Sequence, residues 1–325
     1  MTLSELAKFA HVSISTASKA FAMSKEVNEE TRELIFSVAR EKGCFKKFFN
    51  AKYPKYMVAI ICPEIKSYTY SSLCLRIQQL LNEHNCEVCI STTEFSSEKA
   101  KERLAYYDKY SCADAVVLVD IDIDDVTEYI VPIVSIWSKV KNPIVSITMK
   151  QKYAMEQAIN CFCEQGITDI VFVGEKLATD KIDNIKELFE KILGKATEDS
   201  VFIAKKRVEI GGYEAAKEIF ALRNGDFLKA IICAYDNLAF GVIRFLKDNG
   251  VRVPEDVKII GMDNILTTEY FSPRLSSIDY KNEEVAECVS KSIIDIFNGE
   301  IEPKEYSFTH DLVLRESSGH GEKTK

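Results

Sequence analysis

Long apolar runs are missing from this chain of 325 residues. The longest, such as Met57–Cys62 and Ala115–Val119, fall far below the roughly 18 residues that a membrane-spanning helix needs, so no membrane partner is expected. Glycine and proline are scarce, at 13 and 7 residues, while 46% of the chain is apolar; collagen-like fibre and disorder are thereby excluded. Histidine is rarer still, and none of the four sits in a nucleophile–base pattern. Neither the Gly-x-Gly-x-x-Gly fingerprint nor a phosphate-binding loop occurs. An enzyme is not expected. Glu5 places an acid where a secretory leader carries only positive charge, and no apolar stretch follows it; the expected location is the cytoplasm. The ten cysteines are spread thinly. Cys62, Cys161 and Cys233 fall in or beside apolar runs and read as small hydrophobes. Cys86 and Cys89, with His84 nearby, would point to opposite faces of a strand, and a zinc site needs four converging ligands. No metal and no cofactor are expected.

What the chain does have is an uneven charge. Its net of −8 divides into +4 over residues 1–56 and −12 over the remainder. A small basic head on a large acidic body suits a protein that touches a polyanion with one module and keeps the rest repelled from it.

The basic part reads as short helices. Thr2 and Glu5 have capping-box spacing, and Leu3, Leu6, Ala7 and Ala10 recur with helical period, predicting a helix over Leu3–Ala10. Ser13 is a good N-cap for a second helix, Ile14–Ala22, whose Ala17, Ala20 and Phe21 face inward and whose Ile14, Ser15, Ser18 and Lys19 face out. Asn28 caps a third, Glu29–Lys42, which Gly43 closes. Helix, tight turn and helix form a helix-turn-helix. On its outward face Lys19 can donate to guanine, Ser15 and Ser18 can pair either way, and Ile14 can meet a thymine methyl. Ser13, Thr16, Asn28 and Thr31 lie at helix N-termini, which suit phosphate. Residues 44–56 are basic and aromatic and read as a hinge or linker; either Phe48, Phe49 or Tyr53 serves as an apolar wedge for a minor groove, or the segment is a basic linker whose aromatics pack on the core.

From Met57 onward strands and helices alternate, the rhythm of a parallel sheet. A second series of the same kind begins at Ala154. Two doubly wound halves in tandem bind ligands outside the carboxyl ends of their strands. Asp236 reads as a helix cap.

Residues 2–22 resemble the head signature of the lactose-repressor (LacI/GalR) family, and Val27-Asn-Glu-Glu-Thr-Arg32 continues the match. Further segments are similar in the same order: Tyr235-Asp-Asn-Leu-Ala-Phe-Gly241, Val253-Pro-Glu-Asp-Val-Lys-Ile-Ile-Gly-Met-Asp263, Pro273-Arg-Leu-Ser-Ser277 and Leu314-Arg-Glu-Ser317. The resemblance covers nearly the whole chain. It implies an all-α helix-turn-helix head (1–43), a hinge (44–56) and an α/β core of two doubly wound parallel-sheet lobes like a periplasmic-binding protein. The first lobe is placed at 57–150 with 279–306, the second at 151–278 with 307–317, and a polar tail at 318–325. It further implies that Ile14, Ser15 and Lys19 read bases while Ser13, Thr16 and Asn28 meet phosphates, and that a homodimer binds a palindromic operator in double-stranded DNA, by family default as a repressor. Two departures stand out: Lys19 replaces the usual Arg and loses its bidentate fork, and His11 replaces the usual turn glycine, which its tolerance of left-handed angles permits. The family's hinge pattern is absent.

By the same resemblance, a small-molecule effector would meet Tyr70, Trp137, Lys181, Arg207, Tyr235 and Asp263. With Lys, Tyr and Trp where relatives carry Arg, Asn and an acid, an effector with an aromatic face or an anionic group is expected rather than a plain hexose. The alternative reading is a metabolite-sensing binding protein that has lost specific DNA recognition.

Overall fold

The computed structural model describes residues 1–48, 55–111, 113–194, 200–223, 228–300 and 302–320. The N-terminal head begins with α1 (Leu3–Phe9). Its capping box is complete: Thr2 Oγ1 accepts the Glu5 N–H at 3.3 Å and the Glu5 carboxylate accepts the Thr2 N–H at 2.7 Å. His11 then adopts the expected left-handed conformation, φ 52°, and turns the chain into α2 (Ile14–Phe21). Next come α3 (Glu29–Glu41) and a single turn, α4 (Phe45–Phe48). Leu6, Ala20, Phe21, Ile35 and Ala39 are buried at the centre; a fully buried side chain of this size contributes about 1.5–3 kcal/mol.

The first lobe runs β1 (Tyr56–Cys62), α5 (Tyr68–Asn82), β2 (Cys86–Thr92), α6 (Ser97–Lys109), β3 (Ala115–Val119), the short β4 (Ile123–Asp125), β5 (Ile133–Ile136), β6 (Val140–Lys141) and β7 (Val145–Lys150). The second runs α7 (Gln151–Cys163), β8 (Ile170–Glu175), α8 (Thr179–Leu193), β9 (Val201–Ala204), α9 (Glu209–Leu222), β10 (Ala230–Cys233), α10 (Asp236–Asp248), β11 (Lys258–Asp263), α11 (Thr267–Tyr270) and β12 (Ser276–Asp279). The chain then returns through α12 (Asn282–Phe297) and β13 (Lys304–Thr309) to the first sheet, and ends with β14 (Asp311–Val313) in the second.

Both six-stranded sheets follow one plan. Their orders are β13-β7-β5-β3-β1-β2 and β14-β12-β11-β10-β8-β9. In each, the lobe's first strand lies inside its second, and the third pairs on its other side, all in parallel. The strand order therefore reverses between β1 and β3 and again between β8 and β10, and these are the points where doubly wound sheets bind ligands. Strands such as β3 and β10 are buried along their whole length, because helices cover both faces.

The chain divides into two compact units, residues 1–147 with 283–306 and 148–282 with 307–325. The crossings lie within four residues of those expected. The tail differs more: Ser318, assigned to a polar tail, is buried, and its hydroxyl lies 2.7 Å from that of Ser276. The turn Glu316–Ser318 is thus stitched into the second lobe by short-range polar contacts that hydropathy does not reveal.

Candidate nucleic-acid interface and effector site

In the head, α2 presents its predicted face. Ile14 is 52% exposed, and Ser15, Ser18 and Lys19 are exposed with it, while Ala17, Ala20 and Phe21 are buried. Ser13 Oγ accepts the Thr16 N–H at 2.9 Å and lies 2.7 Å from the Thr16 hydroxyl; Asn28 Oδ1 accepts the Thr31 N–H at 2.8 Å. Both expected caps are formed, leaving helix N-termini with the polarity that suits phosphate. Lys19 is not solitary: it pairs with Glu26, seven residues on.

The hinge expectation is revised in part. Phe48 is half-buried in the head, its ring 5.7 Å from that of Phe21, where Phe45 and Phe36 complete an aromatic cluster. It packs there because α4 continues the head's apolar surface one turn past Gly43, so the head reaches residue 48 and this ring serves packing rather than wedging. Phe49 and Tyr53 lie outside the described residues.

The second lobe brings three of the effector candidates together. Lys181, in the first turn of α8, is buried and donates from Nζ to the Ala234 carbonyl at 2.6 Å. Its ammonium lies 4.0 Å from the centroid of the Tyr235 ring and 5.0 Å from that of Tyr280. The Arg207 guanidinium lies 4.2 Å from the same Tyr235 centroid. Two cations on one ring form paired cation–π contacts, strongest where water is excluded. Tyr235 follows β10 and precedes α10, so the cluster stands at the point where the strand order reverses.

Asp263 ends β11 with φ 112°. Asp120, directly after β3, and Trp137, directly after β5, also have positive φ, 49° and 55°. Non-glycine residues in this region carry strain that tends to be kept at functional sites, and all three mark carboxyl ends of strands. Tyr70, in the first turn of α5, is buried and donates its hydroxyl proton to Asp120, with Phe95 edge-on at 6.4 Å. Asp120 went unread in the sequence, as did Glu175, a buried acid ending β8 at the reversal point. The available signal was an acid directly closing a wholly apolar strand.

Asp236 does not cap its helix. Its carboxylate accepts the Ser277 hydroxyl at 2.6 Å and the Ile265 N–H at 2.9 Å. Burial, and then the Asp263 charge, hold its carboxyl well above the usual range. A Cβ on Gly261 would stand 2.1 Å from Asp236 Oδ1, so that glycine is required by the acid packed against it.

The fold has parallels among known proteins. The periplasmic binding protein-like domain family matches residues 159–318. The transcriptional regulator RegA of Clostridium saccharobutylicum, a helix-turn-helix protein, is 23% identical over 98% of this chain and 99% of its own. Its likeness runs through head and core alike. The curated relatives that match over nearly the whole chain are LacI/GalR-family regulators, and this is the family the chain resembles. Those relatives are helix-turn-helix transcriptional regulators and not enzymes. Among solved structures, the lac repressor dimer bound to operator and the anti-inducer ONPF aligns with a TM-score of 0.72 at 16% identity, and the CelR regulator in complex with cellobiose with 0.68 at 22%; each covers 98% of this chain and 99% of its own. Several family motifs now have physical reasons here. Arg315 donates to Asn264 Oδ1 and the Leu275 carbonyl, and Ser317 accepts from Ser276 and donates to Ile259, so the closing Arg-Glu-Ser segment is structural. Among the described residues no helix is long and apolar enough to cross a membrane.

Proposed function

We propose that this regulator is a cytoplasmic repressor that binds a palindromic operator as a homodimer, reading bases with Ile14, Ser15, Ser18 and Lys19 and meeting phosphates with Ser13, Thr16, Asn28 and Thr31. Paired heads on a two-fold axis match the two-fold symmetry of such a site. Supporting the assignment are the solvent-exposed face of α2 and the two formed caps at its edges. These, with the full-length likeness to regulators, disfavour a binding protein that has lost DNA recognition.

The effector we propose is a hydroxylated small molecule carrying an anionic group, of the sugar phosphate or sugar acid class. One observation carries this: Lys181 and Arg207 both lie within 4.2 Å of the Tyr235 centroid at the reversal point of the second sheet. The N-termini of α8 and α10 start at the same edge and add partial positive charge. Asp263, at the end of β11 in the same lobe, supplies an acceptor for hydroxyls. CelR holds cellobiose, which supports a sugar-like frame. Titration calorimetry with hexoses, cellobiose, hexose phosphates and nucleosides tests it: the phosphorylated sugar is expected to bind tightest, and equal or tighter binding of an unmodified sugar overturns the anionic assignment.

A further inference from the structure

The base-reading face of α2 carries an acid that its own residues do not supply. Glu26 lies in the connection between α2 and α3, and its carboxylate is in direct contact with the Lys19 ammonium. Both side chains are well exposed, 46% for Lys19 and 69% for Glu26, so the contact sits on the surface that α2 offers to a groove. The connection is not a loose one. Arg32, buried beneath it, donates to the carbonyls of Ser24 and Val27 at 2.9 Å each and pairs with Glu29. The Glu26 N–H in turn approaches Ser24 Oγ at 3.3 Å. The acid is therefore carried on a braced segment and meets the lysine at the last turn of the reading helix.

From this we infer that Glu26 is a specificity-determining residue, and that Lys19 and Glu26 together read one G·C base pair. The inference rests on the proposed reading of DNA by α2. A lysine alone presents only donors, which guanine O6 and N7 accept, and its point charge is attracted to any phosphate. Adjoining it with a carboxylate changes both properties. The pair becomes one donor and one acceptor side by side, complementary to guanine on one strand and to the N4 amine of cytosine on the other. It is also close to neutral, so it gains little from non-specific phosphate contact and loses most against an A·T pair, whose edge puts the amine between two acceptors instead of beyond them. Exposed ion pairs contribute little to folding, so Glu26 is open to substitution without loss of the head.

The test uses the full-length protein as wild type and as E26Q, K19A and I14A, each checked for an unchanged thermal melt. Bound duplexes are selected from a random pool, and affinities for the winner and for random DNA are compared. E26Q is expected to lose the G·C preference at one position, the same one that K19A loses, and to lower the ratio of specific to random binding about tenfold. A purely structural role would not move base preference. Should E26Q select the wild-type sequence at an unchanged ratio while K19A loses a position, the role given to Glu26 is wrong and reading by α2 stands. The same holds if E26Q binds all DNA more tightly with preferences intact, because the acid then acts only as a repulsive charge. If K19A and I14A both select the wild-type sequence, reading by α2 fails, and the inference with it.

Discussion

At the carboxyl edge of the first sheet Tyr70 gives its hydroxyl proton to Asp120, with Phe95 packed edge-on; at the matching edge of the second, Lys181 and Arg207 share the ring of Tyr235. The two sheets have one strand order, so backbone architecture does not explain why acids and rings stand at both edges while the paired cations gather at the second. The strands themselves are bound to be apolar, since helices cover both faces. Only residues at and just past a strand's end escape that demand. Chemistry is therefore written in a few positions whose identity the fold leaves open, and two copies of one plan have diverged there.

That contrast can be broken most severely in the second lobe. Replacing Gly261 with Ala drives a methyl to 2.1 Å from Asp236 Oδ1 and is expected to cost about 3 kcal/mol; urea unfolding measures it, and an unchanged midpoint would mean that the acid is not packed as described.

A comparably large effect is expected from acid. His310, buried edge-on to Tyr280 at a ring separation of 4.4 Å, has its pKa pushed down to about 4 by burial and then by the Lys181 charge. The folded protein keeps it neutral while the unfolded chain protonates it below its ordinary value near 6.5. Stability is then fully present above about 6.5 and falls as the pH drops from there to about 4, by on the order of 3 kcal/mol. H310F, which retains the ring contact, is expected to flatten that limb of a stability–pH curve. Persistence of the full slope in H310F would assign the acid sensitivity to other groups.

A sharper test of the second edge pairs K181M with D263N. Losing the buried ammonium is expected to weaken a phosphorylated sugar by about 2 kcal/mol, the scale of a charged hydrogen bond, whereas D263N leaves the anionic part of affinity intact and affects hydroxyl recognition. Equal losses in calorimetry would erase the distinction between the cation and the acid. The smallest effect is at the head: S13A removes the Oγ cap on the Thr16 N–H and is expected to cost about 1 kcal/mol, read in a thermal melt alongside weakened operator binding.

The head was the most legible part, since its helices repeat apolar residues with helical period and open on Thr2, Ser13 and Asn28, whose caps all form. Legible too was the alternation that became β1–α5–β2 and β8–α8–β9. Less could be read where partners are distant in sequence. Lys19 looked like a lone donor because Glu26 lies across a turn. Phe48 looked like a wedge because nothing local reveals that Phe21 waits 5.7 Å away. Asp236 looked like a cap because it opens a helix, although its acceptors serve Ser277 and Ile265.

The amino-acid sequence by itself determined the local elements, their order and the uneven charge, because periodicity, capping and net charge depend on residues a few positions apart. Tertiary structure alone decided which strand ends meet at the reversal points, which acids are buried and which cations share a ring. Those depend on residues tens of positions apart being brought within a few ångströms, where burial and short-range electrostatics act and sequence spacing carries no record of distance.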